Sequence, residues 1–79
     1  MVTVVKVEPL DSFQLKVWLS DGRQGFIDVT PYLEKGVFQE LKDVAYFRRV
    51  SVAFGGVVWP HEQDLSPDII EYKLRQEAL

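Results

Sequence analysis

Phe13, Leu15, Val17 and Leu19 alternate with Gln14, Lys16, Trp18 and Ser20, and this period-2 run constrains the fold more than any other feature of the chain. It reads as a strand with one buried face. Ser20-Asp21-Gly22 follows, and Arg23 to Val29 reads as the returning strand of a hairpin. Parity decides the register. A two-residue Asp-Gly turn would set Leu15 opposite Asp28 and Leu19 opposite Gln24, mixing core and solvent residues on one face. A three-residue Ser-Asp-Gly loop, with Gly22 left-handed in a bulge, sets Phe13 against Val29, Leu15 against Ile27 and Val17 against Gly25. The second register keeps the apolar residues together. It leaves Trp18 and Phe26 on the opposite face with Lys16, Gln24 and Asp28, either under a helix or at an interface.

The flanking sequence completes the outline. Val2 to Val7 is almost wholly β-branched and favours a first strand, which Pro9 ends because proline cannot donate to the ladder. Thr30-Pro31 combines a capping hydroxyl with a first-turn proline, and Gly36 is a natural stop, which predicts a short helix over Pro31 to Lys35. Gln39 to Leu41 suggests a second helical stretch. Asp43 then caps Val44 to Arg49, where Val44 and Phe47 share a face at i, i+3. Tyr32, Leu33, Val37, Phe38, Leu41 and Phe47 are expected to cover one face of the sheet. Val50 to Phe54, Gly55-Gly56 and Val57-Val58-Trp59 read as a second hairpin turning at the two glycines. Beyond an irregular link from His61 to Leu65, Ser66 and Pro67 take cap and first-turn positions of a closing helix. Ile70, Leu74 and Ala78 form its apolar face, and Glu71 and Arg75 form an i, i+4 ion pair. The expected fold is α+β and a single domain over residues 1–79. It has one small antiparallel sheet of about five strands (two hairpins plus an N-terminal strand), short helices after strand 3 and a C-terminal helix.

Composition bounds the chemistry. A chain of 79 residues buries only about two thirds of its unfolded surface, so its core is small and dimerisation would help it. It has no cysteine, which excludes disulfides, thiolate catalysis and the usual cysteine-containing zinc sites. Nothing reads as a secretory leader, and no apolar run approaches the roughly 20 residues that cross a bilayer, so a cytoplasmic protein is expected. Charge is uneven. The net charge of -3 lies entirely in His61 to Leu79, the preceding residues being balanced. Arg48 and Arg49 are the one local basic feature, and they read as a solvated helix end, so direct contact with nucleic acid is not expected.

No catalytic or cofactor motif emerges. The glycines lack the spacing of a phosphate-cradling loop, and none of Ser12, Ser20, Ser51 and Ser66 lies in a Gly-x-Ser-x-Gly elbow. His61 is the only histidine, which weakens a serine-histidine-acid site and rules out any site needing two imidazoles from one chain. Paired carboxylates for acid-base chemistry exist in Glu62, Asp64, Asp68 and Glu71, and a metal could use His61, Asp64 and Asp68, though the spacing selects no ion. The structural alternative gives Asp68 and Glu71 to the helix dipole and Asp64 to backbone N–H groups. Trp59-Pro60 reads either as a core-filling corner or as an interface anchor. No cofactor, metal ligand set or catalytic residue is assigned.

Leu19-Ser20-Asp21-Gly22, the series Phe38, Leu41, Asp43 and Phe47, and Trp59-Pro60 followed by Asp64-Leu65-Ser66-Pro67-Asp68 together resemble the domain of unknown function 2442 family. The resemblance runs from about Val4 to Tyr72. It implies a small α+β domain of bacterial type. Members are often encoded beside a second small protein in pairs similar to toxin-antitoxin modules, and some carry an added helix-turn-helix domain. Here His61-Glu62 stands where the family commonly has small, turn-forming residues.

The leading functional expectation is a protein-binding module, an antitoxin-like partner of a neighbouring gene product, because the acidic end suits a basic partner. Trp59, His61, Glu62, Asp64, Asp68 and Tyr72 are its candidate binding residues. The partner is another small protein, with a homodimer as a further possibility and no membrane. Two alternatives remain open, a small acid-base or metal-dependent enzyme built on His61, Asp64 and Asp68, and a dimeric DNA-binding regulator.

Overall fold

In the computed structural model, which describes residues 1–77 and their side chains through residue 74, the chain is α+β with six strands in two sheets. The expected single sheet of about five strands is thus corrected to two antiparallel sheets of three strands each. The first sheet contains β1 (Val4–Pro9), β2 (Gln14–Leu19) and β3 (Gln24–Asp28) in that order. The second contains β4 (Ser51–Ala53), β5 (Gly56–Val58) and β6 (Asp64–Leu65). Pro9 is the last residue of β1, opposite Leu15. The stretch from His61 to Leu65 was expected to be irregular, yet Asp64 and Leu65 pair with Val58 and Val57.

The first hairpin has the register that parity demands, with Leu15 opposite Ile27 and Val17 opposite Gly25. Its loop is Ser20-Asp21-Gly22, closed by Leu19 N–H to Arg23 O at 2.8 Å and Gly22 N–H to Leu19 O at 3.0 Å, with Gly22 at φ 94°. Leu15, Val17, Leu19, Ile27 and Val29 are all buried. On the opposite face Trp18 is half-buried and Phe26 exposed. Among the described residues Lys6 and Lys16 cover Trp18 there, with Nζ at 4.6 and 5.0 Å from its ring centroid.

The helical region is tighter and shorter than the sequence suggests. A 3₁₀ turn at Thr30–Tyr32 replaces the helix expected over Pro31 to Lys35, and Asp28 Oδ1 accepts from the Thr30 N–H and hydroxyl at its start. A second 3₁₀ segment runs Gly36–Lys42, so Gly36 opens a segment rather than ending one. Helix α1 (Val44–Phe47) is capped as expected by Asp43, whose carboxylate accepts from Ala45 N–H at 3.0 Å. Its buried pair is Tyr46 and Phe47, whereas Val44 points outward, which corrects the expected Val44–Phe47 face. Partners rather than spacing set the inward side of this single turn, since Tyr46 meets Gln63 and His61 while Phe47 meets Phe13 and Trp59. Val37 is likewise exposed, although Leu33, Leu41 and Phe47 join the core.

Helix α2 (Pro67–Glu77) begins where Ser66 and Pro67 place it, with Ser66 Oγ accepting from Ile69 N–H at 3.3 Å. Ile70 and Leu74 are buried, and Leu74 packs so closely on Gly25 that a Cβ there would stand 2.3 Å from Leu74 Cδ1. Arg23 binds Asp21 and reaches Glu71 of α2, tying the first hairpin loop to the helix. Ala78 and the Arg75 side chain expected to pair with Glu71 lie outside the described residues. A Val4 N–H to Gly55 O bond of 2.8 Å joins the two sheets, and one continuous core runs through both and α2.

The second hairpin turns one residue earlier than expected. Ala53 pairs with Gly56, which leaves Phe54 and Gly55 as the central residues at φ 53° and 79°, the signature of a primed two-residue turn. Gly56 lies in β5, where a Cβ would meet the Leu65 carbonyl oxygen at 2.1 Å. Its need for glycine is therefore close backbone approach rather than a turn conformation. Phe54 and Glu62 both hold positive φ without being glycine. Phe54→Asn and Glu62→Gly should each stabilise the fold by about 1 kcal/mol, measured by denaturant unfolding, because each new residue accepts the left-handed conformation more readily.

Candidate functional site

The candidate segment begins where β5 ends. Trp59 N–H donates to Gln63 O at 2.9 Å and Glu62 N–H to Trp59 O at 3.1 Å, so Pro60-His61-Glu62 forms a three-residue loop bonded like Ser20-Asp21-Gly22. Glu62, at φ 77°, takes the position that Gly22 takes in the first loop. The loop swings successive side chains to different surroundings.

Trp59 turns inward. It is 2 % exposed, its Nε1 donates to the Phe47 carbonyl at 2.8 Å, and its ring lies 6.0 Å from that of Phe47. His61 turns toward the helical region. Its Nδ1 lies 2.6 Å from Glu40 Oε2, its ring stacks on Tyr46 at 5.1 Å, and its backbone N–H donates to the Tyr46 hydroxyl at 2.8 Å. A carboxylate at Nδ1 selects the tautomer with hydrogen on that nitrogen.

Gln63 is the one buried polar side chain among the described residues. The Tyr46 hydroxyl donates to its Oε1 at 2.6 Å, and its Nε2 donates to Val37 O at 2.9 Å and Glu40 Oε1 at 3.0 Å. Every polar atom of the amide is thereby engaged, as burial requires. The network fastens the 3₁₀ segment and α1 to the loop. Hydrogen bonding from the Gln63 amide, aided by His61 and opposed by partial desolvation, holds the Glu40 carboxyl below its ordinary value.

The remaining candidates separate. Glu62 and Asp64 are exposed, and with Phe54, Val58, Trp59 and Pro60 they line an open groove of about 390 Å³. Pairing of Ser51 with Val58 and of Val58 with Asp64 puts those side chains on one face of the second sheet. The opposite face buries Val57 and Leu65. Asp68 and Tyr72 are exposed on α2 and do not line the groove, and neither does His61. Glu62 and Asp64 are thus brought together, Trp59 meets the groove only at its edge with its ring turned into the core, and His61, Asp68 and Tyr72 are placed elsewhere. Among the described residues, no three His, Asp or Glu side chains converge as metal ligands. Sequence reasoning missed Phe54, Val58, Tyr46, Gln63 and Glu40. Phe54 alone had a usable signal: an aromatic residue directly before Gly55 in a hairpin turn has no inward direction to take.

The model of the family described as protein of unknown function (DUF2442) matches residues 4–76, and the chain belongs to that family. No curated protein and no solved structure matches it. Among the described residues no helix is long and apolar enough to cross a membrane.

Two expectations follow from the buried network. Tyr46→Phe leaves Gln63 Oε1 without its donor and should destabilise the protein by about 1 to 2 kcal/mol in equilibrium unfolding. Because the folded-state pKa of Glu40 is lowered, its stabilisation is complete above the unfolded value near 4.5 and is lost as pH falls through the lower folded value. Melting temperatures followed from about pH 6 to about pH 3 should therefore fall less steeply for Glu40→Gln than for the unsubstituted protein.

Proposed function

We propose that this domain is a protein-binding module, the antitoxin-like member of a two-gene pair, and that its partner is a small basic protein encoded beside it. The observation that carries this reading is the groove over the second sheet. It joins apolar walls from Phe54, Val58 and Pro60 to the carboxylates of Glu62 and Asp64. Among the described residues neither carboxylate is engaged by a cation. Exposed apolar surface beside unpaired charge is suited to a partner that supplies the opposite charge and excludes water from the aromatic wall. The acidic balance of the chain beyond Pro60 supports the same sign of partner. Tyr72 and Ile69, exposed on α2, add apolar surface of the kind that interfaces use.

An enzyme built on His61, Asp64 and Asp68 finds no support in the geometry, because His61 is engaged with Glu40 and Tyr46 and does not line the groove with Asp64. The protein-binding reading is tested by co-expressing the tagged, unsubstituted domain with the product of the adjacent gene. The expected outcome is a stoichiometric complex that survives size-exclusion chromatography at physiological salt, together with relief of any growth defect that the neighbour causes alone. Separate elution of the two purified proteins, with no relief of toxicity, would reject it.

A further inference from the structure

Phe54 and Glu62, both at positive φ without being glycine, line the same groove, although they belong to different turns. Neither side chain is buried in the core. Phe54 is 95 % exposed, and Glu62 has no hydrogen bond or ion pair from its side chain among the described residues. An aromatic face, two unpaired carboxylates and an apolar floor at Val58 thus surround one opening.

We infer that the groove is an arginine-binding cleft, taking a segment of another protein in which an arginine lies beside an apolar side chain. This rests on the protein-binding reading above and specifies its occupant. Glu62 and Asp64 line the groove with no basic side chain among its lining residues, which favours a cation. The aromatic wall selects guanidinium over ammonium. A planar, weakly hydrated cation stacks on the Phe54 ring while its fork of N–H groups serves carboxylates, whereas a compact, strongly hydrated ammonium does neither as well. The volume of about 390 Å³ leaves room for an apolar neighbour against Val58 and Pro60.

Strain makes the inference testable, because Phe54→Asn should move folding and binding in opposite directions. The probe is a capped ten-residue peptide of alternating arginine and leucine, titrated into the ¹⁵N-labelled domain, with a glutamate-for-arginine peptide as its counterpart. The arginine peptide should shift the amides of Phe54, Val58, Glu62 and Asp64, and the glutamate peptide should leave them in place. Phe54→Asn and Asp64→Asn should each weaken the arginine peptide roughly tenfold, although Phe54→Asn melts no lower than the unsubstituted protein. A lysine-for-arginine peptide should bind more weakly than the arginine peptide. The inference is overturned if both charge types shift the same amides equally, if the shifts fall outside the groove, or if the two variants bind unchanged. Its failure is separable from that of the protein-binding reading. A neighbouring gene product that co-purifies equally with the unsubstituted domain, Phe54→Asn and Asp64→Asn sinks the cleft and leaves the module standing.

Discussion

The indole of Trp59 is the joint on which the architecture depends. The second sheet could not bury a face alone, since its strands have three, three and two residues. Trp59 lies at the end of β5, fills the space beside Phe47 and donates its N–H to the Phe47 carbonyl, so a single side chain joins strand, helix and core. Phe47 in turn stands edge-on to Phe13 at the start of the first hairpin, with centroids 5.3 Å apart. The aromatic series Phe13, Phe47 and Trp59 therefore runs from one sheet to the other through α1. Large rings suit this task because each spans a distance that would otherwise need several aliphatic side chains.

The polar side of the same joint is the Gln63 amide. An amide buried without partners would oppose folding, whereas one held by the Tyr46 hydroxyl, the Val37 carbonyl and Glu40 makes the loop position specific. Apolar packing alone would tolerate a small slide of the 3₁₀ segment against β6. Hydrogen bonds of fixed direction do not. His61 extends the network to the surface through Glu40 and Tyr46, and the loop that carries Glu62 to the groove is thereby anchored at its base.

Legibility followed the range of the interactions. The first hairpin could be read because alternation and a three-residue loop are both local, and parity left one register that kept Leu15 and Ile27 on the same side. The caps at Asp43 and Ser66 were legible for the same reason. The second turn was misplaced by one residue because two adjacent glycines serve different needs, Gly55 a positive φ and Gly56 contact with the Leu65 backbone. Only the folded partner distinguishes them. Strand β6 has two residues and exists through pairing with β5, so no periodicity could announce it. Gln63 was invisible for a related reason: a glutamine in a polar stretch looks solvated until Tyr46 and Val37, 17 and 26 residues away, arrive. Within the candidate segment, composition picked out the acidic residues but could not divide the inward Trp59 from the outward Glu62 and Asp64.

That division bears on what the fold itself requires. Ser20-Asp21-Gly22 and Pro60-His61-Glu62 share one hydrogen-bond pattern, yet the first puts glycine at the left-handed position and the second puts glutamate there. The loop geometry is therefore indifferent to the side chain, and folding stability alone would favour glycine in both. The same holds at Phe54, where a primed turn favours asparagine or glycine and the phenyl ring contacts solvent. Strained residues whose side chains do nothing for the core are better explained by what the surface presents than by how the chain folds. At both positions that surface is the groove over the second sheet, whose floor the fold fixes at Val58, beside the buried anchor Trp59, and whose charge and aromatic wall it leaves open to choice.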